Sequence, residues 1–496
     1  MSTDSAFVHV EARRGAYADS VTLMQVSQQI ERAPGVSAAL VAMATGLNLS
    51  LASEMAFSPP AGAGPDDLLI AIRADDPDAL AAARAEADAA LSARPRADSR
   101  GAEAPPRTVA AALRRGANFA FVSVPGAHAF AEAIDALDAG CSVMIFSDNV
   151  PIRQEIALKK RAVQNGQLVL GPDSGTSVIS GIGLGFANAV RPGPVGIVAA
   201  SGTGAQQLMC LLDLAGIGVS ACLGVGSRDL SSAVQGMSAF AALTALDSDP
   251  ATELIVLVSK PPDPRVAATI RRFAANLRTP VITGLLARGQ PDLQALAEKS
   301  LTALGCATPA WPCWLPDSPP SARATSLRGL YCGGTLCHEA MIIAAESLGE
   351  IRSNIPLDPR WRADLSPQET GHFIADLGDD GLTQGRPHPM IDATFRLERL
   401  ADQIADPSCG ALLLDVVLGH GCHPDPAAVL TPLVSRACDS GLPVVIALVG
   451  STRDPQGLDS QAESLRAAGA TVFAANADAT RYAVALVRNA QADAGE

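Results

Sequence analysis

The amino-acid sequence predicts an α/β protein with Rossmann-like and doubly wound parallel sheets, and with a small α+β module at its start. Short apolar runs recur along the chain, and each enters a turn rich in glycine, proline or small residues before a segment with helical spacing. The composition agrees, since 48% of the 496 residues are hydrophobic while only 4% are aromatic. A chain of this length suggests about three or four domains.

The charge balance and the apolar runs narrow the classes of partner. The formal net charge is −14, and the sequence has neither basic patches nor interleaved aromatic residues, which argues against nucleic acid and membrane surfaces. No apolar run is long enough for a membrane span, and the N-terminus lacks the pattern of a signal peptide. We therefore expect a cytoplasmic protein. Its ten cysteines show no repeated CxxC spacing, which predicts buried, reduced thiols.

The first part of the chain, residues 1–95, predicts a ferredoxin-like α+β module. The pattern is strand, helix, strand, strand, helix, at 7–10, 20–30, 36–43, 68–72 and 77–91. No residue set in this module has a chemical signature. The polar stretch 93–107, which contains three prolines, predicts a linker.

Residues 105–190 predict a Rossmann-like domain, because helices alternate there with strands at 119–124, 141–146 and 168–170. Open α/β sheets bind ligands beyond the carboxyl ends of their strands. The turns that follow two of these strands, at Pro125 and Gly126 and at Gly171 and Pro172, are therefore candidate ligand-facing turns. A hairpin is expected at about 188–194.

The clearest local pattern lies at the start of the next domain, 191–308. A buried strand at 195–198 enters Ser201, Gly202, Thr203 and Gly204, and a helix follows. The free N–H groups and the positive dipole end of such a helix attract a phosphate or a carboxylate, and the hydroxyls of Ser201 and Thr203 are further donors. An ordinary helix start capped by Ser201 explains the same pattern equally well.

The last domain, 327–496, repeats this organisation after a proline-rich boundary at 310–326. Its strand at 411–417 enters Gly419, His420 and Gly421, whose backbone donors, with His420 and His423, form a second candidate anion site. The alternative is a pair of exposed loop histidines. In the preceding domain, Lys260 follows the strand at 254–258 and is either a further phosphate contact or a solvated lysine.

The densest set of chemical groups lies in the stretch 376–392. Asp379 and Asp380 are candidate proton acceptors, Arg386 can hold a carboxylate or phosphate with two hydrogen bonds, and His388 has an ordinary pKa suited to proton transfer. A polar surface loop stiffened by prolines is the alternative. No helical His-x-x-x-His or paired-cysteine pattern supports a metal, so none is expected.

Several runs support a family resemblance over 108–496. FVSVPGAHAF, LVLGPDSG and GPVGIVAASGTGAQQL resemble the alpha subunit of succinyl-CoA synthetase, and LLLDVVLGHG with LPVVIALVGSTRDPQGLD resembles the last domain of its beta subunit. With LGDDGLTQGRPHPMID between them, the chain resembles the FdrA family of acyl-CoA-synthetase-like proteins. The resemblance implies a CoA-binding-type Rossmann domain followed by two flavodoxin-like, ligase-type domains.

The sequence departs from the synthetase in two ways. The linker continues directly into the helical run TVAAALRRG, so the glycine-rich turn that holds CoA in the synthetase is missing, which argues against CoA as a cofactor. Arg288 and Gly289 stand where the synthetase carries its phosphohistidine, and this sequence has no ATP-grasp domain. The resemblance retains two helix N-termini that face each other across a phosphate, here assigned to 201–204 and to the helix after 419–421.

The FdrA resemblance implies a subunit of an oxamate carbamoyltransferase in purine-ureide (allantoin) catabolism. That enzyme interconverts oxalurate plus phosphate with oxamate plus carbamoyl phosphate. Phosphate is then a substrate or product, the organic ligand is a ureido carboxylate or carbamoyl phosphate, and further protein subunits complete a hetero-oligomeric complex. Two alternatives stay open: a nucleotide-forming acyl-CoA synthetase that uses a separate ATP-grasp partner, and a non-catalytic scaffold or ligand-sensing subunit.

Overall fold

The computed structural model describes residues 7–16, 20–64, 67–92, 109–365, 370–383 and 386–495. Within it the chain divides into two units. The smaller unit comprises 1–106 together with 384–387, and the larger comprises 107–383 and 388–496. The α/β class predicted from the sequence is confirmed.

The smaller unit is a three-stranded antiparallel sheet with helices. Its elements are β1 (Phe7–Arg13), α1 (Ser20–Glu31), β2 (Val36–Met43), α2 (Gly46–Glu54), β3 (Leu68–Ala74) and α3 (Pro77–Ser92). The order β1-β3-β2 puts β3 in the centre, and burial of Ile70 and Ile72 against α1 and α3 forms the core. Helix α2 was not predicted, and Thr45 caps it by accepting a hydrogen bond from the Asn48 N–H at 3.3 Å.

The larger unit begins with a parallel three-stranded sheet in the order β4-β5-β6. Its elements are α4 (Val109–Leu113), β4 (Phe119–Val122), α5 (Gly126–Asp138), β5 (Ser142–Ile145), α6 (Ile152–Asn165) and β6 (Val169–Leu170). Pro125 and Pro151 precede α5 and α6, where a missing N–H costs nothing.

The second sheet of this unit has six strands in the order β12-β11-β9-β10-β7-β8. The elements are β7 (Thr176–Ile179), β8 (Ile182–Gly185), β9 (Pro192–Ala200), α7 (Gly202–Leu214), β10 (Val219–Gly224), α8 (Met237–Asp247), β11 (Leu254–Ser259), α9 (Pro264–Ala274), β12 (Val281–Leu285) and α10 (Leu293–Ala303). Strands β9 to β12 are parallel, and β7 and β8 form an antiparallel hairpin.

The position predicted for the hairpin, 188–194, is wrong. The hairpin lies at 176–185, and its two-residue turn consists of Ser180 at φ 52° and Gly181 at φ 76°. Two successive positive φ angles are the requirement of a type I′ turn, whose twist matches that of the strands. The stretch 188–194 instead leads into β9.

The third sheet has seven strands in the order β13-β19-β18-β17-β14-β16-β15. The elements are β13 (Cys313–Trp314), β14 (Ser326–Tyr331), α11 (Gly334–Leu348), β15 (Ile351–Arg352), a 3₁₀ turn (Pro359–Trp361), β16 (His372–Asp376), α12 (Asp380–Thr383), α13 (Thr394–Ala405), β17 (Cys409–Val417), α14 (Pro426–Asp439), β18 (Val444–Val449), α15 (Leu458–Ala467), β19 (Thr471–Phe473) and α16 (Asn476–Gly495). All its pairings are parallel except that of β13.

The second and third sheets share one strand order. In the order of the chain, β9, β10, β11 and β12 correspond to β14, β16, β17 and β18, and in each sheet the first of these lies between the second and the third. This is the switch point at which doubly wound sheets bind ligands. Helices α7 and α11 both follow that first strand, and they pack against each other in a core shared by both sheets.

The described helices include none that is both long and apolar enough to span a membrane. Six of the ten cysteines are buried, in agreement with the expected buried thiols. The cytoplasmic location and the boundaries between the three domains of the larger unit stay predictions.

Candidate functional site

The first component of the site is the N-terminus of α7. Ser201 adopts extended backbone at φ −168°, and its Oγ accepts a hydrogen bond from the Gly204 N–H at 3.0 Å. The same hydroxyl donates to Thr335 Oγ1 at 2.7 Å. Ser201 therefore serves as the helix cap and as a link between two helices, and its proton is already engaged.

The second component is the N-terminus of α11, which faces that of α7. Gly333 precedes the helix without a capping side chain. Asp415, from the neighbouring strand β17, instead holds the turn before the helix, where it accepts hydrogen bonds from the N–H groups of Cys332 and Gly333, both at 2.8 Å. A β-carbon added to Gly333 would lie 2.8 Å from Thr203 Oγ1, so the two helix ends are in direct contact.

Four backbone N–H groups at these facing helix ends are free to bind a ligand. They belong to Gly202, Thr203, Gly334 and Thr335, and none donates a hydrogen bond to any atom in the part of the chain that the structure describes. The first N–H groups of a helix have no partner within it, and the helix dipole adds positive potential there. The arrangement is suited to a tetrahedral anion held from two sides.

Lys260 supplies a full positive charge at the same place. It follows β11, the strand that pairs with β9, and a β-carbon added to Gly334 would lie 2.9 Å from its Nζ. Among the described residues, no carboxylate lies within 4.0 Å of that ammonium group. The geometry thus brings the sequence-predicted Lys260 to Ser201 and Thr203.

Asp376 is the acidic group of the site, and the sequence prediction did not include it. It ends β16 and is only 4% exposed. Its Oδ1 accepts a hydrogen bond from the Gly378 N–H at 2.9 Å, whereas its Oδ2 would lie 2.5 Å from a β-carbon on Gly334. Burial raises the pKa of Asp376 to about 7, although Lys260 opposes the shift.

Two histidines near the site are neutral at physiological pH. Burial lowers the pKa of His388 to about 4, so the expectation of a pKa near neutrality is wrong. Its Nδ1 accepts a hydrogen bond from the Met390 N–H at 3.2 Å, which leaves the proton on Nε2. Burial and then Lys260 lower the pKa of His338 to about 4, and its Nδ1 pairs with the Gly334 carbonyl at 2.9 Å.

The assignment of the second helix N-terminus to Gly419, His420 and Gly421 is wrong. The Gly419 N–H donates to Gln456 Oε1 at 3.1 Å, and the His420 N–H donates to the Ala187 carbonyl at 2.8 Å. Helix α14 starts only at Pro426, and the carboxylate of Asp425 caps it.

His423 belongs to the same loop. Its Nδ1 accepts a hydrogen bond from the Asp425 N–H at 3.0 Å, so it orders the chain in front of α14. The facing pair of helices is therefore α7 with α11. The sequence predicts this helix, at 335–348, but not its part in the site, because Gly333 offers no capping side chain and Asp415, which holds the preceding turn, lies some eighty residues further along the chain.

Three further candidates of the stretch 376–392 are Asp379, Asp380 and Arg386. Asp379 Oδ1 accepts a hydrogen bond from the Gly381 N–H at 3.0 Å at the start of α12. Desolvation, and then Asp148 and Asp379, raise the pKa of Asp380. Arg386 is exposed and falls in the short stretch that groups with the smaller unit. The catalytic roles predicted for these three residues stay predictions.

The glycine turns of the first sheet have a packing role. A β-carbon on Gly126 would collide with the Asp148 carbonyl oxygen, and one on Gly171, at φ 102°, with the Ile145 carbonyl oxygen. Close approach of two backbones therefore explains both glycines. A ligand-facing role of these turns, including Pro125 and Pro172, stays a prediction.

Comparison with known proteins identifies the family of this chain. Residues 330–486 match the CoA-ligase family, and residues 1–107 match the AllF heavy metal-associated domain. Over 495 residues the chain is 36% identical to the uncharacterized protein YahF of Escherichia coli K12, covering 93% of this chain and 95% of YahF. The chain belongs to the YahF family.

Shorter stretches of this YahF-family chain match subunits of CoA ligases. It is 31% identical over 146 residues to the alpha subunit of the ADP-forming succinate–CoA ligase of Methanothermobacter thermautotrophicus, covering 29% of this chain and 48% of that subunit. The alpha subunit of malate–CoA ligase of Methylorubrum extorquens is 28% identical over 171 residues, with coverages of 33% and 55%. The chain thus spans about half the length of these two relatives.

Among solved structures, an acetyl-coenzyme A synthetase of Ca. Korarchaeum cryptofilum in complex with phosphate and ADP matches this chain at 17% identity. The match covers 76% of this chain and 83% of the synthetase, with a TM-score of 0.28. A likeness of this size carries no inference about the YahF family.

The name of the N-terminal domain implies a heavy metal, and its residues do not fit one. Soft heavy metals are bound by thiolates. The first cysteine of this chain is Cys141, so residues 1–107 contain none. No group of three His, Cys, Asp or Glu side chains suited to a metal ion occurs within the described ranges.

Proposed function

We propose that this YahF-family chain is the phosphate-handling subunit of a carbamoyl- or acyl-transferase. Within the FdrA resemblance, the specific reaction is that of oxalurate and phosphate to give oxamate and carbamoyl phosphate. One observation carries the proposal: the free N–H groups of α7 and α11 face each other beside Lys260, whose ammonium group has no carboxylate within 4.0 Å among the described residues.

The electrostatics of the site support transfer to phosphate. Phosphate is a dianion near neutral pH, and four N–H donors with one ammonium group suit its charge and its tetrahedral shape. Direct attack by a bound phosphate oxygen on a ureido carbonyl needs positioning and charge stabilisation, without a nucleophile from the protein. The place taken by phosphohistidine in the synthetase is occupied by Arg288, whose guanidinium lies 5.3 Å from the centroid of the Trp361 ring.

The second candidate is an acyl-CoA synthetase with a separate ATP-grasp partner. It is favoured by the match of 330–486 to the CoA-ligase family and by the relatives named as CoA-ligase subunits. An acyl phosphate would then occupy the same helix ends. The missing glycine turn before 108 and the absence of histidine near Arg288 in the sequence count against this candidate.

The test uses the chain purified with its partner subunits. The complex is incubated with oxalurate and phosphate, and carbamoyl phosphate is detected by ³¹P nuclear magnetic resonance. We expect product that depends on both substrates and is lost in a Lys260→Ala complex, while a Lys299→Ala complex, altered at an exposed lysine, keeps its activity. Absence of phosphate-dependent turnover of oxalurate or other ureido acids contradicts the proposal, and formation of an acyl-CoA from ATP and CoA establishes the second candidate instead.

A further inference from the structure

We infer that Asp376 is a catalytic residue that carries the proton exchanged between phosphate and the leaving nitrogen. The inference rests on the proposed function. Asp376 Oδ2 would lie 2.5 Å from a β-carbon on Gly334, which is the first residue of α11 and one of the free N–H donors. An anion bound to that N–H would lie against this oxygen.

The Asp376 carboxyl group is held in one orientation. Its Oδ1 accepts a hydrogen bond from the Gly378 N–H at 2.9 Å. The side chain of Asn354 fixes the backbone on both sides, because Nδ2 donates to the Asp376 carbonyl at 2.8 Å and Oδ1 accepts from the Asp376 N–H at 3.0 Å. Preorganisation of this kind is what proton transfer at a fixed distance requires.

The charged groups that face Asp376 come from three elements. Lys260 follows β11 and favours the carboxylate, whereas Asp379 in the following loop and Asp415 on β17 favour the neutral acid. With burial added, the pKa is about 7, and both forms are populated near neutrality. Asp415 itself is unsuited to this role, because its oxygens hold the Cys332 and Gly333 N–H groups and the guanidinium of Arg396.

In the proposed reaction, Asp376 takes up one proton from phosphate and returns it to the leaving nitrogen. The Asp376 carboxylate accepts the proton of hydrogenphosphate while a phosphate oxygen attacks the ureido carbonyl carbon and forms the new C–O bond. The C–N bond to the oxamate nitrogen then breaks, its electron pair stays on nitrogen, and the neutral Asp376 donates the proton there. The products are carbamoyl phosphate and oxamate, and Asp376 is again a carboxylate.

The first experiment measures binding to the full-length chain, with inorganic sulfate as the probe. Sulfate stays a dianion between pH 5 and pH 9, so any pH dependence reports on the protein. The ionised Asp376 repels the probe, and we expect wild-type affinity to fall by about tenfold as the pH rises through about 7. Asp376→Asn keeps the acceptor for the Gly378 N–H and should bind sulfate with little pH dependence, whereas Asp439→Asn, the same change at an exposed carboxylate at the end of α14, should behave as wild type.

The second experiment measures turnover of the complex. Asp376→Asn should lower kcat by roughly a hundredfold or more, Asp376→Glu should recover part of kcat, and the control Asp439→Asn should keep the wild-type kcat. If the wild-type complex is active and Asp376→Asn retains its kcat, the inference is overturned and the proposed function stands. If wild type shows no turnover, the proposed function fails. An unchanged pH dependence of sulfate binding in Asp376→Asn overturns the inference independently of turnover.

Discussion

The two helices that meet at the candidate site start at the same point of the same strand order, yet different residues hold their starts in place. Helix α7 is capped by Ser201 within its own turn, whereas α11 depends on the carboxylate of Asp415, which reaches the N–H groups of Cys332 and Gly333 from another strand. In both cases the N–H groups of the first two helical residues, Gly202 and Thr203 or Gly334 and Thr335, keep no hydrogen-bond acceptor among the described residues. Two helix N-termini at equivalent positions can therefore be ordered either by a residue of the same turn or by a residue of a distant strand.

The largest expected effect concerns the hydrogen bonds that Asp415 makes before α11. Asp415→Ala leaves two buried N–H groups without their acceptor and the buried guanidinium of Arg396 without its carboxylate, and we expect a loss of about 3–5 kcal/mol in the free energy of unfolding. Ser201→Ala removes one neutral cap and should cost about 1 kcal/mol. Urea unfolding of both variants measures the difference, and equal losses in the free energy of unfolding would contradict the distinction between the two helix starts.

The next largest expected effect concerns the positive charge of Lys260, which lies beside the N-termini of α7 and α11. Lys260→Ala removes the ammonium group beside Gly334, and one lost charge-assisted hydrogen bond corresponds to about 1.5–3 kcal/mol, or roughly tenfold to a hundredfold in sulfate affinity. Titration calorimetry of the full-length chain measures it, with Lys299→Ala as the matched control. Unchanged affinity in Lys260→Ala would mean that the anion binds elsewhere.

The smallest effect compares the first residue of each helix. A β-carbon on Gly334 would lie 2.9 Å from Lys260 Nζ and 2.5 Å from Asp376 Oδ2, whereas one on Gly202 would meet only Thr176 Oγ1, at 3.5 Å. We expect Gly334→Ala to weaken sulfate binding by about tenfold, since it displaces the ammonium group. Gly202→Ala should change it by less than about threefold. Equal losses of sulfate affinity in the two variants would contradict the expected difference between the two helix N-termini.

A different substitution, Gly204→Val, is unsuited to this comparison. From the sequence alone, we expect the valine side chain to fill the anion site while the protein stays folded. In the structure a β-carbon on Gly204 would collide with Ser201 Oγ and lie 3.0 Å from Thr335 Cγ2. The change would therefore break the cap of α7 and the contact with α11, and lost binding would not distinguish a filled site from a damaged fold.

The elements that depend on residues close together in the chain could be predicted from the sequence. Strand β9, the turn Ser201–Gly204 and helix α7 were predicted as a unit, because the cap, the glycines and the apolar period all lie within twenty residues. The ferredoxin-like pattern of the smaller unit was predicted for the same reason. Lys260 was identified as a candidate because it follows an apolar strand.

The contributions of Asp415 and Asp376 to the site could not be predicted, because both residues are distant in the chain from the residues that they contact. Asp415 lies more than eighty residues from Cys332, and Asp376 approaches Gly334 only through the pairing of β14 with β16. An apolar run that ends in an acid, HFIAD at 372–376, was the available signal for Asp376. The neutral state of His388 depends on burial, which the sequence does not reveal.

The most direct test of the central claim is the position of a bound oxyanion in a crystal of the full-length chain. Selenate is a tetrahedral dianion like sulfate, and its selenium atom can be located by anomalous diffraction. The account predicts a selenium peak between α7 and α11, within hydrogen-bond distance of the N–H groups of Gly202, Thr203 and Gly334 and of Lys260 Nζ. A peak at Gly419–Gly421 instead, or none between the two helices at saturating selenate, would contradict it.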